Sequence, residues 1–256
     1  MEPSTPNVAR MYDYYLGGDE ALPVDREAAE LVLATAPQVR TAVAENRGFL
    51  ERVVTHMAAQ GIDQFLDIGS GLPTQRNVHQ ILAEVSPGAR VVYVDYDPVV
   101  VERSIHLLAG IDTADCMLGD VRKLSALCDE PRVSELINFD RPVGVLLLAV
   151  LNFVGDEDNP AEVVSELRRL TAPGSLVALS HGAREQSLST SRGIEHAYRR
   201  ASGQAVLRTR TEVLRLLDGC EILPPGLVYG AQWTAEPSAP MGDPGTAMTF
   251  AALARL

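Results

Sequence analysis

Short apolar runs along the chain close on polar residues: Asp67, Asp95 with Asp97 just behind it, Asp120, Asn152 and His181. A carboxylate in such a place can cap the helix that follows. Several on one edge would instead make a negative crevice, able to hold a cation and to accept from hydroxyl and amino groups. The turn Asp67-Ile68-Gly69-Ser70-Gly71-Leu72-Pro73-Thr74 starts like a dinucleotide fingerprint, but Thr74 stands where the third glycine belongs. Asp67, two residues before Gly69, would repel a pyrophosphate seated over this turn. It could orient an ammonium group instead.

That charge pattern suits adenosine joined to a sulfonium and an amino acid, as in S-adenosylmethionine, better than it suits NAD. Asp95 follows Gly71 by about 24 residues, the position at which ribose hydroxyls are gripped in nucleotide-binding sheets. Asp120, after Gly119, could accept from an adenine amino group.

The elements that must position these groups alternate between two periodicities. Apolar residues recur three and four apart over Asp25–Ala36 and Val39–Gln60, which predicts helices. Strands are expected at Gln64–Ile68, Arg90–Val94, Cys116–Leu118, Val143–Leu148 and Ser175–Ser180, with helices near 75–85, 98–108 and 161–170. Such alternation predicts a parallel sheet with right-handed crossovers. The tail carries two apolar runs, Leu227–Trp233 and Ala247–Leu253, around a Pro/Gly-rich loop at Glu236–Gly245, and reads as an antiparallel hairpin. Residues 1–60 are expected to form a helical N-terminal cap on a ligand-binding domain at 61–256.

Composition narrows the partners. In 256 residues, 22 basic side chains face 34 acidic ones, a net charge of −12, which opposes binding to a nucleic-acid backbone. The chain is 46% hydrophobic, enough for a sizeable core. Cys116, Cys128 and Cys220 are widely spaced, with neither a disulfide nor a metal pattern. The longest apolar run, Val143–Leu151, is about half of what a membrane helix needs. The charged residues Arg10, Asp13, Asp19 and Glu20 stand where a signal peptide would be apolar. A cytoplasmic protein with no metal and no membrane partner is expected. A homodimer is compatible with the sequence, and no residue argues for it.

The series Asp67-Ile68-Gly69-Ser70-Gly71, Val94-Asp95-Tyr96-Asp97-Pro98 and Gly119-Asp120 resembles class I S-adenosylmethionine-dependent methyltransferases. Nearly the whole chain is similar to one bacterial family of them with mostly undefined substrates. The resemblance rests also on Ala9–Gly18, Asn46-Arg47-Gly48-Phe49-Leu50, Leu147–Phe153 and Ala178–His181. It implies a Rossmann-like, seven-stranded, mostly parallel α/β sheet with a reversed C-terminal strand. It implies that Gly69 and Gly71 line the methionine part, Asp95 the ribose and Asp120 the adenine; Tyr96, next to Asp95, is also expected at the cofactor. The family commonly has a lysine after its paired glycines, where this chain has Asp19-Glu20.

Other residues admit two readings each. Tyr12, Tyr14 and Tyr15 either fold over the crevice, Tyr14 toward the cofactor and Tyr15 toward the acceptor, or pack the cap, with Gly17-Gly18 as a hinge. Arg10 either grips the methionine carboxylate or is exposed. His181 is the candidate general base, since imidazole titrates near neutrality; the alternative is a polar residue that merely closes a strand. Asn152 and His181 are expected on the acceptor side. The sequence Asn152-Phe153-Val154 lacks the Asn-Pro-Pro-aromatic signature of enzymes that methylate exocyclic base amines. From Arg184 to Arg215 seven arginines face three glutamates, a surplus that could meet an anionic acceptor or line a solvated helix. The expected function is methyl transfer to the oxygen or nitrogen of a small molecule. The alternatives are a non-catalytic S-adenosylmethionine binder and an NAD(P)-dependent oxidoreductase, the latter opposed by Asp67 and Thr74.

Overall fold

The computed structural model describes residues 5–73, 76–184, 188–202, 205–236 and 248–256, with backbone alone at 188–190 and 200–202. Three helices come first: α1 (Val8–Tyr15), α2 (Pro23–Thr35) and α3 (Val39–Ala59). Then follow β1 (Gln64–Ile68), α4 (Val78–Val85), β2 (Arg90–Asp95), α5 (Pro98–Leu107) and β3 (Ala114–Leu118). Two short helices, α6 (Leu124–Cys128) and α7 (Pro131–Leu136), lead to β4 (Gly144–Leu148), α8 (Pro160–Leu170) and β5 (Leu176–Gly182). The last third holds α9 (Leu188–Ser202), α10 (Arg210–Leu216), β6 (Glu221–Ile222), β7 (Val228–Tyr229) and β8 (Thr249–Arg255).

The strands form one sheet in the order β3-β2-β1-β4-β5-β8-β6, with β7 also paired to β8. The first five strands are parallel and β8 runs antiparallel to β5. Among the described residues eight strands are present where seven were expected. The reason is local: β6 and β7 both pair with β8, at Arg255–Ala254 and at Ala251–Phe250, so the outer position is split in two. Pro224, Pro225 and Gly226 stand between them, and proline has no N–H to offer a ladder. The expected strand Leu227–Trp233 shortens to β7 because Gly230–Gln232 turns into a 3-10 helix. Most of the expected Glu236–Gly245 loop lies outside the described residues.

Side-chain parity along the strands sorts two cores. Leu66, Ile68, Val92, Val94, Leu147 and Val177 meet the helices α6, α7, α8 and α10. Phe65, Val91, Tyr93 and Leu146 meet α3, α4 and α5 on the other face. A third cluster joins Met11 and Tyr15 of α1, Val32 of α2, Val39 and Val43 of α3, and Ile194 of α9. Helix α3 thus belongs to the cap through its first turns and to the sheet through Phe49, Val53 and Met57. The stretch Gly182–Leu207 contributes α9, packed against α2. Among the described residues no helix is long and apolar enough to cross a membrane.

A buried ion pair holds the cap. Asp25, wholly buried, accepts from Arg10 Nε at 2.5 Å and Nη2 at 3.1 Å, from Asn7 N at 2.7 Å and from Leu22 N at 2.8 Å. One carboxylate therefore starts α2 and fixes α1 beside it. Arg10, expected either in the site or in solvent, is in neither place. Removing one partner of such a pair strands the other charge at a cost of about 3–5 kcal/mol. Asp25→Ala should lose about that much stability in urea denaturation, and Arg10→Met with Asp25→Leu should recover most of it.

Candidate active site

The strand order reverses between β1 and β4, where the crossovers leave in opposite directions and open a crevice beyond the strand ends. A cleft of about 260 Å³ lies there, lined by the ends of β1, β2 and β4, the loop after β3, and one face of the cap. Gly69, at φ +72°, turns the chain back so that its N–H reaches Val94 O at 2.7 Å. A β-carbon on Gly69 would collide with Val150, so the loops after β1 and β4 close on each other only because residue 69 has none. Gly71, at φ +64°, donates its N–H to Asp95 Oδ2 at 2.9 Å. Asp95 Oδ1 accepts from Asp97 N at 3.0 Å. Asp97 lines the cleft and also caps α5 by accepting from Val99 N at 2.8 Å.

Asp67 lies inside β1 and is buried. Burial pushes its carboxyl up to about 7, Arg47 pulls it down, and Asp95 adds to the rise. Asp95 is itself raised, chiefly by burial. Asp120 differs: hydrogen bonds from the Arg122 side chain, as close as 2.6 Å, hold it below the usual carboxylate range. Asp67, Gly69, Gly71, Asp95, Tyr96 and Asp120 all line the cleft. Thr74 lies outside the described residues. Ala149 takes φ +58°, held by its N–H to Ser180 O and Oγ, both at 3.0 Å.

The cap presents one helical face, Val8, Ala9, Tyr12, Asp13 and Leu16, together with Asn46, Arg47 and Leu50 of α3. Of the three tyrosines, Tyr12 alone lines the cleft. Tyr14 turns outward, donating to Glu30 at 2.6 Å with the Arg40 guanidinium over its ring, and Tyr15 is buried in the cap core. Gly17-Gly18 is pinned: Gly18 lies so close to the Asp13 carboxylate that a β-carbon would overlap it, and Glu20 N donates to Asp13 Oδ2 at 3.0 Å. Glu20, in the Asp19-Glu20 pair that follows these glycines, pairs with Arg103 of α5 at 2.6 Å.

His181 does not reach the cleft. It is wholly buried; its Nδ1–H donates to Gly182 O at 3.0 Å, and its Nε2 accepts from Arg208 Nη1 at 2.8 Å, since guanidinium can only donate. Burial, with Arg208 alongside, lowers it to about 4, so the lone pair a general base needs is already used. Arg208 also donates to Leu151 O, Val154 O and Asp156, all at 2.7–2.9 Å. Asn152 is likewise structural, accepting from Gly182 N at 2.9 Å. Of the seven arginines in that stretch, Arg184 pairs with Glu212 and Arg208 with Asp156, and neither lines the cleft. Arg199 is exposed, and the side chain of Arg200 lies outside the described residues.

The family model for S-adenosyl methyltransferases matches residues 1–256. The chain belongs to that family. A candidate methyltransferase from Thermobifida fusca superposes with a TM-score of 0.91 at 34% identity, covering 99% of this chain and 96% of that one. A DUF574 family protein from Streptomyces avermitilis gives 0.90 at 32% identity, covering 98% and 97%. A Methanosarcina mazei S-adenosylmethionine-dependent methyltransferase, at 15% identity and a TM-score of 0.52 over 79% and 96%, shares the fold alone. No curated protein matches the chain. The chain is therefore an S-adenosylmethionine-dependent methyltransferase, and the oxidoreductase alternative falls away. The cleft fits the cofactor: buried carboxylates suit its ammonium and hydroxyls, and Asn46 Oδ1 and Arg47 Nε are buried in its wall without hydrogen-bond partners. Gly69→Ala should lose about 1–2 kcal/mol from backbone conformation and more from the Val150 collision. Adding Val150→Ala should restore only the second part in thermal melts.

Proposed function

We propose that the ammonium of S-adenosylmethionine lies toward Asp67, its ribose at Asp95 beside Tyr96, and its adenine at Asp120. The methyl acceptor in this reading is a small molecule presenting oxygen or nitrogen, and the setting is cytoplasmic. The observation that carries the reading is the gathering of Asp67, Asp95 and Asp120 around one cleft behind the Gly69–Gly71 turn. When bound, the cofactor supplies a methyl group on a sulfonium, already activated for in-line displacement.

The residues then have separate tasks. The Asp95 oxygens hold amide hydrogens of residues 71 and 97 and keep lone pairs for hydroxyl groups. Asp67, raised by its own burial, regains its charge when a cation arrives. Tyr12, Leu16, Leu50 and Phe153 offer the acceptor a mainly apolar wall, and α1 and α3 roof the cleft, which supports a compact acceptor over a macromolecular surface. With His181 sealed in the core, the chain's contribution is alignment. The acceptor brings its own lone pair.

Asp95→Ala should weaken S-adenosylhomocysteine binding by about 1–3 kcal/mol in calorimetry; unchanged affinity would mean that the ribose lies elsewhere. A pH dependence follows from Asp67. Facing Arg47 of α3 and Asp95 and Tyr93 of β2, it is protonated in the free protein below about pH 7. An ammonium favours the carboxylate, so binding must expel a proton below that pH. Affinity should rise up to about tenfold per unit as pH climbs toward 7, then level off. Asp67→Asn should flatten the profile, and a wild-type profile already flat from pH 5.5 to 7.5 would dissociate Asp67 from the ammonium.

A further inference from the structure

We propose that Asn46 and Arg47 form a clamp for the amino-acid head of the ligand, Arg47 taking the carboxylate and Asn46 Oδ1 sharing the ammonium with Asp67. The proposal rests on the cofactor placement above and assigns two residues that the placement does not use. The argument starts at Tyr12, whose hydroxyl donates to Val43 O at 3.3 Å. Its hydrogen committed, that hydroxyl can only accept from Asn46, whose Nδ2 lies 3.0 Å away. The Asn46 amide is thereby oriented, and its Oδ1 is left buried without a donor.

Arg47 is in the complementary condition. Its Nε is buried without an acceptor, and among the described residues its guanidinium makes no hydrogen bond and no ion pair. It acts on Asp67 only through its charge. Adjacent residues on one wall thus offer an unmet acceptor and an unmet cationic donor, and buried polar atoms are ordinarily satisfied. A ligand that meets both carries a hydrogen-bond donor and an anion a few bonds apart, and with Asp67 close by a positively charged N–H is the donor best suited. An α-amino acid does so, and the planar guanidinium fork matches its carboxylate. Arg10, the other candidate for that carboxylate, holds Asp25 through two of its N–H groups and does not line the cleft.

The test compares S-adenosylhomocysteine with 5′-methylthioadenosine, which keeps the nucleoside and thioether but lacks the amino-acid head. Calorimetry on the full chain should show Arg47→Gln and Asn46→Ala each weakening S-adenosylhomocysteine about tenfold or more while methylthioadenosine stays within about twofold. Arg47→Lys, which keeps charge but not the fork, should recover part of the loss. Should Asn46→Ala fail to fold, Arg47→Gln carries the test alone, with its melting temperature as the control. Equal weakening of both ligands, or no weakening of S-adenosylhomocysteine, overturns the clamp and leaves the cofactor site standing. Wild-type protein that binds neither ligand overturns the site, and the clamp with it.

Discussion

A carboxyl group buried in the central strand is the constraint to which the surrounding structure answers. Asp67 sits between β2 and β4, where apolar neighbours cannot compensate a charge, and a buried carboxylate must be paired or protonated. Asp95 on the adjacent strand makes matters worse. The nearest relief comes from outside the sheet, from Arg47 on α3. This explains why α3 is both a layer of the sheet and a wall of the cleft. Its apolar residues Phe49, Val53 and Met57 fix its position, and that position brings Arg47 to the carboxyl.

The cap follows the same logic. Helix α1 is eight residues long, too short to persist alone in water. It is tied at its start by Asn7, which donates to Asp97 at the head of α5 and to Asp25 at the head of α2. It is tied at its end by Asp13, around which the chain wraps from Gly18 to Glu20. Polar groups that look like surface decoration in the sequence are thus the fasteners of the wall that faces the ligand.

How much of this was legible follows from whether the signal was local. Strands buried on both faces are read as apolar runs, and the carboxylates closing them mark the sheet edge, so the cleft-lining positions of Asp67, Asp95 and Asp120 were legible. The outer strand was counted once because its interruption depends on which residues of β8 each half meets. His181 stood at a strand end like the carboxylates, but its direction was decided by Arg208, 27 positions later. Arg10 was decided in the same way by Asp25. Tyr12 was left grouped with Tyr14 and Tyr15 because residues 8–15 were not read as a separate helix. Asn46 and Arg47, inside an expected helix, were given no role because the side it turns to the cleft is set by packing against distant strands. One turn repeat through Val8, Tyr12 and Leu16 would have separated Tyr12 from Tyr14 and Tyr15.

Ala149 has a left-handed backbone that glycine would occupy more easily, at a cost of about 1–3 kcal/mol for a residue with a β-carbon. Alanine's left-handed basin is narrow, so the cleft floor under Val150 is confined to one shape before any ligand arrives. A glycine there would make a more stable but looser floor, and its freedom would have to be surrendered at each binding event. The chain accepts a standing loss of folding stability, and the entropy of ordering that turn is no longer charged to the catalytic cycle.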